Sequence, residues 1–273
     1  MLETLSDIGE EEIINRIKRF ASPGQLEDDT AEISCKNNIL INNDLLVENI
    51  HFTRQTSSSK DVGWKCITSN LSDLAASGME EVLGVTVGLV APSSTPWEWV
   101  EGVYEGISQA LSTYGGKLLG GDCSKGSQII ISITAIGTVG PLRLHQSHAK
   151  PEDWIVCSGP HGLSRLGFAL LTKDPFILNT SLSDSLKLKA IEVHQRPQPP
   201  LNALRTLINC KPNNIPWRAA GTDSSDGLLG AIKNLCKKSK CQALIPKNSL
   251  PKHDLWPVGS HWDEWCINGG EDY

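Results

Sequence analysis

Carboxylates recur along this 273-residue chain in one setting, a short acidic turn beside an apolar run or a pair of glycines. Asp28-Asp29 form one such turn, and Asp44 follows Asn42-Asn43 at the end of the apolar run Ile39-Leu40-Ile41. Asp122 follows Gly120-Gly121, Asp223 and Asp226 flank two serines, and Glu271-Asp272 follow Gly269-Gly270. Strand ends are where α/β folds place ligands, and glycine lets a backbone approach them closely. Carboxylates that converge without basic partners repel one another unless cations hold them together. All-oxygen donors of this kind suit magnesium, which bridges to substrate phosphates. The competing reading makes each aspartate a helix cap or a turn residue.

A tighter pattern lies in Asn70-Leu71-Ser72-Asp73-Leu74-Ala75-Ala76. On a helix Asn70 and Asp73 stand three apart, and Ser69 and Asp73 four apart, so their polar groups share a face. Leu71, Leu74 and Ala75 turn toward the core. A metal role suits an Asp73 carboxylate pinned beside apolar packing; a solvated helix edge is the alternative. The glycine turns also suit phosphate, through backbone N–H groups and helix N-termini. Familiar nucleotide signatures are nonetheless missing. There is no GxxxxGK[ST] and no GxGxxG after a strand, and Gly115-Gly116-Lys117 runs into Leu118.

Bulk composition removes other classes. The 31 acidic against 25 basic residues give a net charge of -6, which argues against a basic grip on nucleic acid. No apolar run approaches the roughly 20 residues that cross a bilayer. The acidic N-terminus lacks a basic-then-apolar leader, so a cytoplasmic protein without membrane partners is expected. Eight cysteines contain no Cys-x-x-Cys pair, and seven histidines contain no HExxH, so reduced thiols are expected and not a zinc centre.

These residues need elements to position them. Periodicity predicts a helix over Glu10–Phe20, a strand over Ile39–Ile41, a helix over Asp61–Ser77 and a strand over Val82–Val90. Thr95-Pro96-Trp97-Glu98 has the form of a capping box opening a helix to Tyr114. A short strand over Lys117–Leu119 should then break at Gly120-Gly121-Asp122, with a longer strand over Ile129–Val139. A polar, proline-bearing stretch near 140–153 marks a domain junction. Beyond it come a strand over Trp154–Cys157, a helix through Leu171, helices near 185–194 and 200–209, a helix to about Lys238, and a strand at Trp265–Ile267. The fold class expected is α+β with intermixed elements: a mixed-sheet domain over residues 1–145 and an α/β domain over 146–273.

In order and spacing these turns resemble thiamine-monophosphate kinase, within the superfamily of aminoimidazole ribonucleotide synthetase and selenophosphate synthetase. Asp28-Asp29-Thr30-Ala31 resembles the early Gly-Asp-Asp turn. Asn42-Asn43-Asp44 with the later His51-Phe52 is similar to the Ser-Thr-Asp segment and its His-Phe. Asn70 to Ala76 matches the helix motif, and Gly120-Gly121-Asp122 the Gly-Gly-Asp turn. Asp223-Ser224-Ser225-Asp226-Gly227-Leu228 resembles the second-domain turn, and Gly269 to Tyr273 the late Gly-Gly-Glu-Asp-Tyr. The resemblance implies transfer of ATP's γ-phosphoryl group to thiamine monophosphate with several Mg2+ ions, in a homodimer. It implies magnesium ligands at Asp29, Asp44, Asp73, Asp122, Asp223 and Asp226, with oxygens from Asn42 and Asn43. Of these, Asp44, Asp73, Asp122 and Asp226 are the catalytic set. Gly121, Asp122 and Ser225 are the implied nucleotide contacts, and His51 and Glu271 the contacts to thiamine monophosphate.

The chain departs from the pattern at several points. Glu27 replaces a glycine, Asn42-Asn43 replaces Ser-Thr, and Ala231 stands where an aspartate is common. Gln146 falls where the family carries an arginine that holds ATP phosphate; its amide donates hydrogen bonds without charge, and Arg143 lies nearby. The family continues past the point matching Tyr273, so the second domain is expected to be incomplete. His51 alone would read as a structural histidine. The competing functions are another ATP-using member of the superfamily, or a non-catalytic nucleotide-binding scaffold.

Overall fold

The structure is a computed structural model describing residues 3–21, 36, 38–178, 180–211, 214, 216–246 and 248–273. The chain divides into two units, Met1–Leu74 with Met79–Gly140, and Ala75–Gly78 with Pro141–Tyr273.

In the first unit, α1 (Leu5–Ile17) leads through a 3-10 turn at Lys18–Phe20 toward β1 (Ile39–Val47). Then follow α2 (Ser59–Ala76), β2 (Met79–Ala91), α3 (Trp97–Tyr114), β3 (Leu118–Lys125) and β4 (Ile130–Val139). The strands form one sheet in the order β1-β4-β2-β3. β4 pairs antiparallel with β1 and β2, while β3 runs parallel to β2, the connection that needs a crossover helix and receives α3. Alternation sorts the residues. Val85, Val87 and Leu89 of β2 and Ile131, Ile133 and Ala135 of β4 are buried on one face, where Ile67, Leu71, Val100, Val103 and Ile107 of the helices are also buried. On the opposite face of the edge strand β1, Ile39, Ile41 and Leu45 are exposed.

Helices α2 and α3 touch backbone to backbone because glycine is present at each crossing. A Cβ on Gly63 would fall 1.9 Å from the Val103 carbonyl oxygen, and one on Gly106 would fall 2.0 Å from that of Lys60. Gly115 then closes α3 with φ 92°, a conformation that favours glycine.

Three local expectations for this unit are corrected. β1 does not end at Ile41. It runs on to Val47, so Asp44 lies inside a strand opposite Ile133, because β4 offers an unbroken partner. β3 likewise continues through Gly120-Gly121-Asp122, with Asp122 opposite Gly88. The expected capping box does not form: Pro96 is the N-cap, and no side chain caps α3.

The second unit contains α4 (Leu163–Leu171), α5 (Pro175–Leu178), α6 (Asp184–Gln195), α7 (Leu201–Cys210), α8 (Leu228–Ser239) and α9 (Ser260–Asn268). Leu163, Leu166, Leu186, Ala190, Trp256, Trp262 and Trp265 form its main core. Among the described residues this unit has no strand. The expected strand at 154–157 is absent, and Trp154 is 93% exposed: apolar content cannot make a strand without a partner backbone. The expected strand at Trp265–Ile267 is part of α9, because Trp262, Trp265 and Cys266 bury together at helical spacing. Among the described residues no helix is long and apolar enough to cross a membrane.

The α2–α3 contact yields a test. Gly106→Ala should destabilise the protein by roughly 2–4 kcal/mol, because the added methyl meets backbone that cannot move aside. Urea denaturation of the variant beside the parent measures it.

Candidate functional site

One turn of α2 faces β1 through a chain of amides. Asn70 is buried, and its Nδ2 donates to the Cys66 carbonyl at 2.8 Å, which fixes which end of its amide carries the oxygen. That oxygen accepts from Asn42 Nδ2 at 3.1 Å, and the same Nδ2 donates to Asp73 Oδ2 at 3.0 Å. Asn42 is therefore oriented by two acceptors, which leaves its own Oδ1 buried with no hydrogen-bond partner. A buried acceptor in that condition costs about 1–3 kcal/mol unless something satisfies it. Strand alternation puts Asp44 on the same face of β1 as Asn42. The donors on this face are a carboxylate held in place and an unsatisfied amide oxygen, a set that fits a hard divalent cation.

Neighbouring residues face elsewhere. Asn43 points to the opposite side of the sheet, where its Nδ2 donates to Ser132 Oγ (3.1 Å), the Ile133 carbonyl (2.9 Å) and Thr134 Oγ1 (3.0 Å). Asp122 shares that opposite side, because it pairs with Gly88, Gly88 with Ser132, and Ser132 with Leu45. Asp44 and Asp122 thus occupy the two edge strands, about 14 Å apart by strand spacing, and face opposite ways. Within this chain the sheet does not bring them together. Gly121 has a packing reason of its own, since a Cβ there would lie 2.0 Å from the Val87 carbonyl oxygen. His51 is exposed, and its Nδ1 accepts from the Val47 N–H at 3.1 Å, closing the turn after β1. Asp29 lies outside the described residues. Among those described, no three His, Cys, Asp or Glu side chains converge in an arrangement that could hold a metal.

In the second unit two of the predicted turns lie backbone against backbone. Glu271 N–H donates to the Ser225 carbonyl at 2.8 Å, and a Cβ on Gly270 would sit 2.4 Å from that same oxygen. Gly227, at φ 91°, faces the carbonyls of Asn268 and Gly269 from the other side. Asp223 is half-buried and Asp226 exposed on this turn. Gln146 joins them, with Nε2 donating to Thr222 Oγ1 at 3.1 Å and its carbonyl accepting from Ser239 Oγ at 2.8 Å. Arg143 is engaged with the carbonyls of Ser77 and Leu144.

A third turn, which the sequence reading passed over, closes the group. Asp272 is buried and accepts from Gly162 N–H (2.7 Å) and Ser164 N–H (2.9 Å) at the start of α4. His161 Nε2 is 2.8 Å from Ser224 Oγ, and Ser224 in turn donates to the Asp272 carbonyl. Burial pushes the His161 imidazole below its usual value, opposed by its hydrogen bond to the Gly159 carbonyl. Burial likewise pushes the Asp272 carboxyl up to about 7, although the Ser164 and Gly162 N–H groups favour its charged form.

Comparison with known proteins places this geometry. Residues 27–139 match the N-terminal domain of the AIR synthase related proteins. The thiamine-monophosphate kinase of Prochlorococcus marinus is 56% identical over 272 residues, covering 99% of this chain and 82% of the relative. The chain belongs to the thiamine-monophosphate kinase family. A crystal structure of the thiamine-monophosphate kinase from Stenotrophomonas maltophilia K279a has a TM-score of 0.80 at 26% identity, over 96% of this chain and 83% of that one. AaThiL complexed with AMPPCP and TMP has a TM-score of 0.67 at 25% identity, over 98% and 84%. The mixed α/β class read from the sequence is that of these kinases. The turn at His161-Gly162 gave only a weak signal beforehand, a histidine between a proline and a glycine, since nothing local shows that Asp272 fills it.

Asp272 makes stability depend on pH. Its folded-state value stands above the ordinary 3.8, so the folded state holds the proton more tightly than the unfolded chain does. The stabilisation is complete below pH 3.8 and is lost as the pH rises towards about 7. Asp272→Asn should flatten that slope, as read by urea midpoints across the same range.

Proposed function

We propose that the chain transfers the γ-phosphoryl group of ATP to the phosphate of thiamine monophosphate, giving thiamine diphosphate and ADP. The relation to a thiamine-monophosphate kinase across 99% of the chain carries this reading. The Asn42–Asn70–Asp73 network supports it with a built cation-binding face. The attacking phosphate oxygen is already ionised near neutral pH, so the reaction needs no general base. What it needs is positioning and relief of repulsion between two anions, which suits a site rich in carboxylates and poor in bases.

Mg2+ would be held by Asp73, Asp44 and Asn42 on the α2-facing side of the sheet, and at a separate position by Asn43 and Asp122 on its opposite side, with Asp29, Asp223 and Asp226 as further ligands. When bound, magnesium supplies charge neutralisation across the phosphates. Asp44, Asp73, Asp122 and Asp226 form the catalytic set, acting by orientation. Gly121, Asp122, Gln146 and Ser225 contact the nucleotide, and His51 and Glu271 contact thiamine monophosphate. Gln146 lends amide hydrogen bonds but no charge, so ATP is held less tightly than by an arginine at that position. The protein works in the cytoplasm as a homodimer. The open edge of β1, with Ile41 60% exposed and Ile39 and Leu45 beside it, supports self-association.

Incubation of the purified chain with ATP, magnesium and thiamine monophosphate should yield thiamine diphosphate by chromatography. ADP without that product would point to a different acceptor. In the same assay Asp73→Asn should lower kcat by about 100-fold or more while the melting temperature is preserved. Activity near the parent level would remove Asp73 from the catalytic set. Ile41→Lys should shift the protein from dimer to monomer in light scattering, since a charge on an apolar edge strand opposes pairing. An unchanged mass would place any interface elsewhere.

A further inference from the structure

Three polar side chains, at the start of α4, in the last turn of α6 and just after α9, are arranged beyond what packing demands. His194 is buried, 6% exposed, in the last turn of α6. Its Nδ1 is 3.1 Å from Ser164 Oγ on α4 and 3.7 Å from Glu271 Oε2. The ring is bordered by Phe168, with centroids 5.5 Å apart. Helices α4 and α6 come this close because position 167 is glycine: a Cβ there would meet the Ala190 carbonyl at 2.1 Å and His194 Cβ at 2.8 Å. The imidazole therefore has little room to swing. Glu271 adopts φ 61°, in the left-handed region that a glutamate avoids, and strain of this kind collects where a site must aim a group. Its own N–H is fixed to the Ser225 carbonyl, which anchors its backbone, and its carboxylate lies 3.7 Å from the His194 ring. The side chain stays 29% exposed, which leaves the carboxylate a face for a ligand.

We propose that His194 is a positioning residue: together with Ser164 it aims the Glu271 carboxylate at the cationic heterocycle of the phosphate-acceptor substrate. This rests on the reading of Glu271 as an acceptor contact. A thiazolium or an aminopyrimidine is recognised by a carboxylate held in one orientation, and a hydrogen bond to a charged group contributes roughly tenfold or more in affinity. His194 does this through Nδ1, the nitrogen nearest the backbone. An asparagine at 194 can place its amide nitrogen near that point, whereas a glutamine amide reaches toward the Nε2 position.

The test is steady-state kinetics on the chain carrying His194→Ala, His194→Asn, His194→Gln, Glu271→Gln and the His194→Ala/Glu271→Gln double substitution, with melting temperatures as fold controls. We expect His194→Ala and Glu271→Gln each to raise KM for thiamine monophosphate about tenfold, at least five times any change in KM for ATP. His194→Asn should recover most of that loss and His194→Gln should not. The double variant should be no worse than Glu271→Gln alone, since the two residues act as one unit. Additive losses in the double variant, or an equal rise in KM for ATP, would overturn the role of His194 while leaving Glu271 as a contact. If Glu271→Gln leaves KM for the acceptor unchanged, the reading of Glu271 falls and the proposal with it. Should His194→Ala fail to fold, the contrast between Asn and Gln decides: equal KM values for the two refute the proposal.

Discussion

A buried carboxamide on a helix, held by its own backbone, sets the geometry of the first unit's site. Asn70 gives its N–H to the Cys66 carbonyl one turn earlier and so presents its oxygen outward in a single orientation. Asn42 on β1 must answer with its amide nitrogen, and that same NH2 group also donates to Asp73. The consequence is an amide oxygen with nothing to bind, left beside a carboxylate in a buried position. Folding tolerates such an atom when function uses it, and an oxygen-seeking cation would suit both groups. Removing the Asn42 amide would take one hydrogen bond from each of Asn70 and Asp73.

That arrangement depends on close approach, which glycine permits. Gly63 and Gly106 let α3 lie on α2, so that α2 is seated with its Asn70 face toward β1. In the second unit Gly227 and Gly270 allow the turns around Ser225 and Glu271 to touch through backbone atoms, and Gly167 brings His194 to Ser164. The catalytic chemistry of a phosphoryl-transfer enzyme needs few reactive groups but fixed positions. Here the fixing is done by hydrogen-bonded amides and missing Cβ atoms, and hardly at all by ion pairs. The ion pairs among the described residues are mostly at the exposed surface, where they contribute little.

Buried acidity follows the same pattern in the second unit. Asp272 sits where the start of α4 offers N–H groups, but burial outweighs them and favours the protonated form. Glu271, one residue earlier, remains partly open and beside His194. Adjacent carboxylates thus take different tasks, one locking a helix start and the other left facing outward. The difference lies in their surroundings, not in their chemistry.

By itself the sequence determined the family, the two glycine-bearing acidic turns of the second unit and the helices α2, α3, α6, α7 and α8, because apolar spacing and ordered motifs are local properties of the chain. It also showed that Asn70 and Asp73 share a helix face, since three residues make nearly one turn. Only the tertiary structure decided that Asp44 and Asp122 lie within strands on opposite faces, because strand length is set by the neighbour that pairs with it. The same reason kept Trp154–Cys157 from becoming a strand and let Trp265 bury as part of a helix. The roles of Asp272, His161 and His194 were likewise out of reach, as their partners lie 30 to 110 residues away in the chain. Spacing can show which groups share a face of one element; only packing shows which groups from different elements meet.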